Sequence, residues 1–198
     1  MDAIRYYIAL VLVVTLPPTL LHWLVIHPFI HFWRRLGPAL TYGLVWTVMG
    51  MGGGGLFQVR KSLLAVEFGT NYFLIALGVL AEVAAIWLWV LLHRYLALST
   101  MLGLPELAPN KYPIGLITGG IYTRMRHPRY VQIVLLIWGY ALIANYPAAY
   151  VVAALWLPGI CIIARLEEKE LLERYGAAYE EYCRRVPRFL PRWGKRED

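Results

Sequence analysis

Cysteine and acidic charge are both scarce in this chain. Of 198 residues only two are cysteine, Cys161 and Cys183. One falls in an apolar run and one in a polar tail, which gives neither a disulfide framework nor metal-ligand spacing. Charged residues make up 16% of the sequence, below the ~25% of soluble domains. Twelve acidic residues face nineteen basic ones, for a net charge of +7. The surplus flanks apolar runs, which is how a bilayer protein is oriented and meets anionic lipid headgroups, so nucleic acid is excluded as a partner. The glycine run Gly52-Gly53-Gly54-Gly55 lacks the lysine-serine or lysine-threonine ending of a phosphate loop. Close helix packing or a broken helix end fits it better. No internal repeat or low-complexity linker is present, and no obligate protein partner is inferred.

Apolar sequence is what the chain has in quantity. It is 60% hydrophobic, with a mean hydropathy of +0.55. These values imply an all-α integral membrane bundle forming a single domain over 1–198. The pattern predicts about five transmembrane helices. Three lie within 1–100, at roughly 4–26, 39–58 and 71–92, with Pro17-Pro18 kinking the first. The run Tyr6 to Ile26 lacks a small-x-small cleavage site and exceeds a signal's apolar length, so it reads as a span. The remainder, 101–198, comprises a connector, a helical hairpin and a polar tail. The hairpin runs from Val131 to Ala164 and turns at Asn145-Tyr146-Pro147. The loop 27–38, the segment 93–129 and the tail from Arg165 together carry 16 of the 19 lysines and arginines. The positive-inside rule places those segments, including the C-terminus, in the cytoplasm of a multi-pass protein.

A chain that crosses, turns and crosses back returns to the side it left. Arg126-His127-Pro128-Arg129-Tyr130 and Arg165-Leu166-Glu167-Glu168 flank the hairpin and are expected to meet at one membrane face. Proline keeps His127 out of regular helix, so a helix should start there. On these residues alone, snorkelling basic groups at a helix start explain the first motif equally well. Glu167-Glu168 opposes the basic bias of that face. The pair serves either in ion pairs or as an acceptor for a ligand ammonium, with basic groups nearby for its carboxylate. A zwitterionic amino-acid moiety fits both signs, and S-adenosylmethionine carries one. The tail over 167–185 reads as helix, with Gly176 weakening or capping it. Val186-Pro187-Arg188-Phe189-Leu190-Pro191 ends that helix and offers an aromatic-aliphatic plug.

The spacing Thr118-x-Gly120-x-Tyr122-x3-Arg126-His127-Pro128-x-Tyr130, followed by Glu167-Glu168-x2-Leu171-x4-Gly176-x2-Tyr179-x2-Tyr182-x3-Val186-Pro187-x2-Leu190-Pro191, resembles the isoprenylcysteine carboxyl methyltransferase and phospholipid methyltransferase superfamily. The resemblance covers about residues 107–192. It implies an S-adenosylmethionine-dependent integral membrane methyltransferase whose cofactor arrives from the cytosol. An amphiphilic lipid or prenylated acceptor would arrive from the bilayer. Ile114, Gly115, Leu116 and Ile117 would line the adenine pocket, largely through backbone. Tyr122, His127, Pro128, Arg129 and Tyr130 would hold the sugar and methionine parts, Glu167 would take the ammonium, and Gly120 and Glu168 are further cofactor-binding candidates.

Two positions depart from the pattern. An arginine that binds substrate in the isoprenylcysteine branch falls at Ile163, and Arg165, two residues on, is the substrate-binding candidate. A glutamine that touches cofactor in that branch falls at Leu107. A carboxylate acceptor needs no general base, whereas a phospholipid amine must lose a proton. Arg126 and Glu82 are the candidate catalytic groups. Glu82 sits inside the third span, where a carboxyl is costly. It is a proton acceptor, a partner for a cation such as Arg94 or Arg126, or a protonated carboxyl in a helix contact. His93 reads as interfacial. Gly78 is a weak match to a cofactor glycine of the phospholipid branch. His22, His27 and His31 suit an interface better than a metal, since Pro28 interrupts the i,i+4 spacing. A second functional class, an NADPH-dependent membrane reductase of sterol or steroid type, shows a similar Arg-His-Pro-x-Tyr pattern.

Overall fold

The computed structural model describes residues 1–95, 100, 104–108, 111 and 115–190. Helices and a single 3₁₀ turn make up its regular structure, with no strand among the described residues. In chain order the helices are α1 (Asp2–Ile26), α2 (Ile30–Leu36), α3 (Pro38–Gln58), α4 (Arg60–Leu63), α5 (Tyr72–His93) and α6 (Leu104–Leu107). The 3₁₀ turn (Gly120–Thr123) follows, then α7 (Pro128–Ala144), α8 (Pro147–Tyr175) and α9 (Ala177–Arg185). The loop expected over 27–38 therefore contains a short helix, which ends at Gly37 with φ +78°.

Three helices, α1, α5 and α8, are long and apolar enough to cross a membrane. This is fewer than the five expected spans. α7 is apolar but only 17 residues long, and the glycine run dilutes the hydropathy of α3, which is 21 residues long. α1 continues as helix through Pro17 and Pro18. Opposite that pair, α3 also stays helical through its glycines. A Cβ at Gly52 would lie 3.5 Å from Pro18, and one at Gly53 would lie 3.4 Å from the Val14 carbonyl oxygen. Gly52 and Gly53 thus pack against α1, whereas a Cβ at Gly54 or Gly55 would meet open space.

The main core forms where α1, α7 and α8 meet, around Ala9, Leu12, Val13, Ile137, Ala153 and Trp156. The Trp156 indole donates to the Leu16 carbonyl at 3.3 Å. α5 docks against α7 through small residues. A Cβ at Gly78 would come within 2.7 Å of the Gly139 carbonyl oxygen, and one at Gly139 within 2.4 Å of Glu82 Oε1. Gly78 therefore has a packing reason to be glycine.

The α7–α8 turn is held from outside the hairpin. Asn145 adopts a left-handed conformation (φ +57°, ψ +48°), one of the few non-glycine types that tolerates it. Its side-chain amide donates to the Gly69 carbonyl at 2.9 Å and accepts from the Tyr150 hydroxyl at 2.9 Å. Arg5, 1% exposed, locks the same corner. Its Nε donates to the Ala144 carbonyl at 3.0 Å, and its Nη1 reaches Asp2 Oδ1 at 3.1 Å and Thr70 Oγ1 at 3.0 Å. Nη2 pairs with Glu67 at 3.2 Å.

Candidate active site

The hairpin returns the chain to the helix start at Pro128. His127 precedes α7 with φ −121° and ψ +58°, outside the helical region as its proline neighbour requires. The apolar stretch of α8 ends at Ala164, and its charged continuation runs beside His127. α9 follows the sharp break at Gly176 (φ +53°, ψ −130°), a conformation suited to glycine. The segment after α9 folds back onto the start of α7: Arg126 N–H donates to the Pro187 carbonyl at 2.9 Å and His127 N–H to the Arg188 carbonyl at 3.0 Å. The Phe189 ring lies 5.9 Å from the His127 ring.

Glu168 is the centre of this arrangement. It accepts Arg126 Nε and Nη2, each at 3.0 Å, and His127 Nε2 at 3.0 Å. Arg188 Nε lies 3.0 and 3.1 Å from its two oxygens, and Arg188 Nη2 bonds Oε2. The Glu168 side chain is 12% exposed. Three cationic groups on one carboxylate occupy its acceptor positions. The remaining Arg126 amino group, Nη1, donates to the Cys183 and Val186 carbonyls, so Arg126 fastens the C-terminal segment as well.

Glu167 is differently placed. Adjacent residues on a helix point ~100° apart, so it meets the other edge of the His127 ring and not the two arginines. It accepts the Tyr130 hydroxyl at 2.7 Å and lies 3.5 Å from His127 Nδ1. It also lines a cleft of about 230 Å³ between α2 and the end of α8. The His127 ring is thus bracketed by two carboxylates. Burial alone would strip its proton, but hydrogen bonds and charge from Glu167 and Glu168 overcome that and raise its pKa above the ordinary 6.5. Tyr122 stays protonated well above its ordinary range, mainly through burial and then through the negative charge of Glu167.

The connector closes the site from the other side. The Tyr182 hydroxyl donates to the Tyr122 carbonyl at 2.7 Å, tying the 3₁₀ turn to α9. Leu116 packs into the cluster of Tyr179, Tyr182 and Val186, so its backbone rather than its side chain is left to meet a ligand. Gly120 has φ +59°, and a Cβ there would overlap the Tyr95 ring at 2.3 Å. A side chain at this position would be strained in the backbone and would have to displace the Tyr95 ring.

A sequence model of the phospholipid methyltransferase family matches residues 73–178, more than half the chain. The chain belongs to the phospholipid methyltransferase family. This agrees with the wider isoprenylcysteine and phospholipid methyltransferase superfamily expected from the motif spacing. It resembles a methanethiol S-methyltransferase of Crocosphaera subtropica, 34% identical over 84 residues, which are 42% of this chain and 32% of the relative. It also resembles methanethiol S-methyltransferase 2 of Bradyrhizobium diazoefficiens, 33% identical over 79 residues, or 36% of this chain and 27% of the relative. The chain thus matches about a third or less of each relative's length. No solved structure matches it.

Among the described residues, the structure gathers Tyr122, Arg126, His127, Tyr130, Glu167 and Glu168 at one end of the hairpin. Pro128 opens α7 beneath them, and the charge of Arg129 acts on Tyr122. Ile114 lies outside the described residues. Two expected residues stand apart from these contacts. Arg165 is exposed; on α8 it is out of phase with Glu167, two residues on, and shares a face with Glu168, three residues on. Glu82 touches Gly139, eleven residues into α7 from Pro128, or ~16 Å of helix rise from the charged cluster. This contact matches one of the readings offered for Glu82, a carboxyl in a helix contact. Arg126 and Glu168 are engaged with each other. His27 holds Glu170 at 2.8 Å and stacks on Trp23, as does His22. Arg188 was missed altogether: the polar residue inside the expected plug was the only signal, and nothing in the spacing said what it would pair with.

Proposed function

We propose that the protein is an S-adenosylmethionine-dependent integral membrane methyltransferase whose acceptor is an amphiphilic, bilayer-resident molecule. Glu168 is saturated by three cations while Glu167, its neighbour, turns toward a cleft; this observation carries the assignment. Glu167 has one short hydrogen bond and a side chain that is 29% exposed, so it retains acceptor capacity for an ammonium. The residues present therefore fit the methyl donor's amino-acid end. S-adenosylmethionine, when bound, supplies an electrophilic methyl group on a sulfonium.

The chain's own residues supply position and dryness. Glu167 anchors the ammonium, and Tyr122, Arg129 and Tyr130 surround the same point. The backbone of Gly115, Leu116 and Ile117 faces the adenine. His127, its pKa raised by the two carboxylates that bracket it, orients Glu167. Transfer from a sulfonium disperses charge, so alignment of the two partners in a water-poor site supplies most of the acceleration. In our reading all five long helices cross the bilayer, with the cluster and C-terminus on the cytoplasmic side.

A phospholipid amine fits the family, and an isoprenylcysteine-like carboxylate remains the alternative lipid acceptor. A small thiol is a second reading, favoured by the two relatives named for methanethiol. The reductase alternative gains nothing from the family match. Calorimetry in detergent is expected to show S-adenosylhomocysteine binding, and binding of NADPH in its place would overturn the reading. Transfer of a labelled methyl group to aminophospholipid vesicles, a prenylated cysteine or methanethiol then identifies the acceptor.

A further inference from the structure

The charged cluster occupies one end of the bundle. The opposite end carries the hairpin turn, where Phe68 N–H donates to the Asn145 carbonyl at 3.1 Å. A groove of about 440 Å³ runs toward that end between α1 and α3. It exists because side chains are missing. A Cβ at Gly50 or Gly54 would meet no atom within 4 Å, whereas Pro18 and Trp46 stand at its sides. The two hydroxyls along it are turned back on their own helix: Thr15 donates to the Val11 carbonyl and Thr19 to the Thr15 carbonyl, each at 2.7 Å. Such a lining suits hydrocarbon, since a polar ligand would lose its water without gaining partners. From Trp46 to Phe57 the groove follows α3 for about 16 Å. That is the hydrocarbon depth of one leaflet, half of the ~30 Å core. The mouth of the groove is basic. Arg60 lies over the Phe57 ring, 3.9 Å from its centroid, and its Nη1 donates to the Phe57 carbonyl at 2.7 Å. That bond uses one of the five N–H donors of a guanidinium. Asp2 and Glu67, carboxylates at the same end, both pair with Arg5.

We propose that this groove binds one anionic phospholipid of the leaflet opposite the charged cluster, with an acyl chain laid between α1 and α3 and its phosphate held by Arg60. The proposal rests on the reading that both helices cross the bilayer. Lipid chains touch every apolar face in a membrane, so the groove alone would select nothing. The guanidinium fixed over its mouth supplies selection, because Arg meets a phosphate in two-point, charge-assisted geometry. Lys61, next in the chain and exposed, adds a second positive charge at headgroup depth. This lipid is not the methyl acceptor, since its headgroup lies at the other end of the bundle from His127 and Glu167. A second copy of the chain is the competing occupant of a glycine-lined helix face. A parallel pair would bring Arg60 and Lys61 of both copies together, which charge repulsion opposes.

Native mass spectrometry of the delipidated protein in detergent tests this, with phosphatidylglycerol and phosphatidylcholine of identical chains as the two probes. The unmodified protein should retain one phosphatidylglycerol with a preference of about fivefold or more over phosphatidylcholine. Arg60→Gln should bring that preference to within about twofold. Gly54→Leu fills the groove and should weaken both lipids by about tenfold. Gly50→Leu, at a position open in the same way, takes its place if a melting curve shows Gly54→Leu to be unfolded. No preference in the unmodified protein, or a preference that survives Arg60→Gln, overturns the proposal. Unchanged lipid retention in the folded groove-filling variant also overturns it. So does the loss of a dimer in that variant, which would identify a second copy as the occupant. Labelling of Lys61→Cys by an impermeant maleimide from the same membrane face as the C-terminal segment would instead overturn the reading that α3 crosses the bilayer.

Discussion

The two ends of the helical bundle each bury an arginine against carboxylates and backbone carbonyls, yet they differ in what remains. At one end Arg5 meets Asp2 and Glu67, which are 79% and 45% exposed, so one cation is shared between two solvated anions. The corner is closed by backbone and by Asn145. At the other end the ratio reverses: Glu168, largely buried, serves three cations. The first arrangement ties helices together. The second ties a connector, a helix start and the C-terminal segment together, and in doing so leaves Glu167 turned toward a cleft. A frame that neutralises one of two neighbouring carboxylates makes the other available.

Substitutions can break this contrast. The largest effect is expected from Glu168→Ala, which leaves Arg126, His127 and Arg188 without their shared anion. Removing one partner from a buried ion cluster costs about 3–5 kcal/mol, so thermal unfolding in detergent should show a large drop together with lost S-adenosylhomocysteine binding. Arg5→Ala should cost somewhat less, about 2–4 kcal/mol, because Asp2 and Glu67 can return to water. Its folded fraction should still bind S-adenosylhomocysteine normally, and impaired binding there would erase the distinction between the two ends. Gly78→Ala tests neither end but the α5–α7 contact between them. A methyl group 2.7 Å from a backbone oxygen forces the helices apart, at about 1–3 kcal/mol.

A smaller effect concerns pH. His127 has its pKa raised in the folded protein, so its contribution to stability is complete below the unfolded value near 6.5 and is lost as pH rises through the folded value. Melting temperature should therefore decline as pH rises above about 6.5, and His127→Gln should flatten that decline. An unchanged slope in the variant would assign the pH dependence to another group.

Much of this was legible in the sequence where local chemistry decides. Asn145-Tyr146-Pro147 marked the hairpin turn, His127-Pro128 marked a helix start, and Gly176 marked the break between α8 and α9, because each depends on a residue's own backbone preferences. The meeting of Arg126, His127, Glu167 and Glu168 followed from counting crossings. Helix phase was harder to read. Arg165, Glu167 and Glu168 lie within four residues, and only the packed structure says which faces solvent, which faces the cleft and which faces Arg188. Glu82 was placed in the right helix, but its contact with Gly139 of α7 was not legible, since sequence position gives no distance between helices. Arg5 looked like a flanking charge, and its burial arises from Glu67 and Ala144, far away in the chain.

The central claim is that Glu168 builds the site and Glu167 binds the ligand. Paired melting curves and S-adenosylhomocysteine titrations of Glu167→Gln test it most directly. The account predicts stability within ~1 kcal/mol of the unmodified protein with binding abolished or severely weakened. A folded Glu167→Gln protein that binds S-adenosylhomocysteine with unaltered affinity would contradict it.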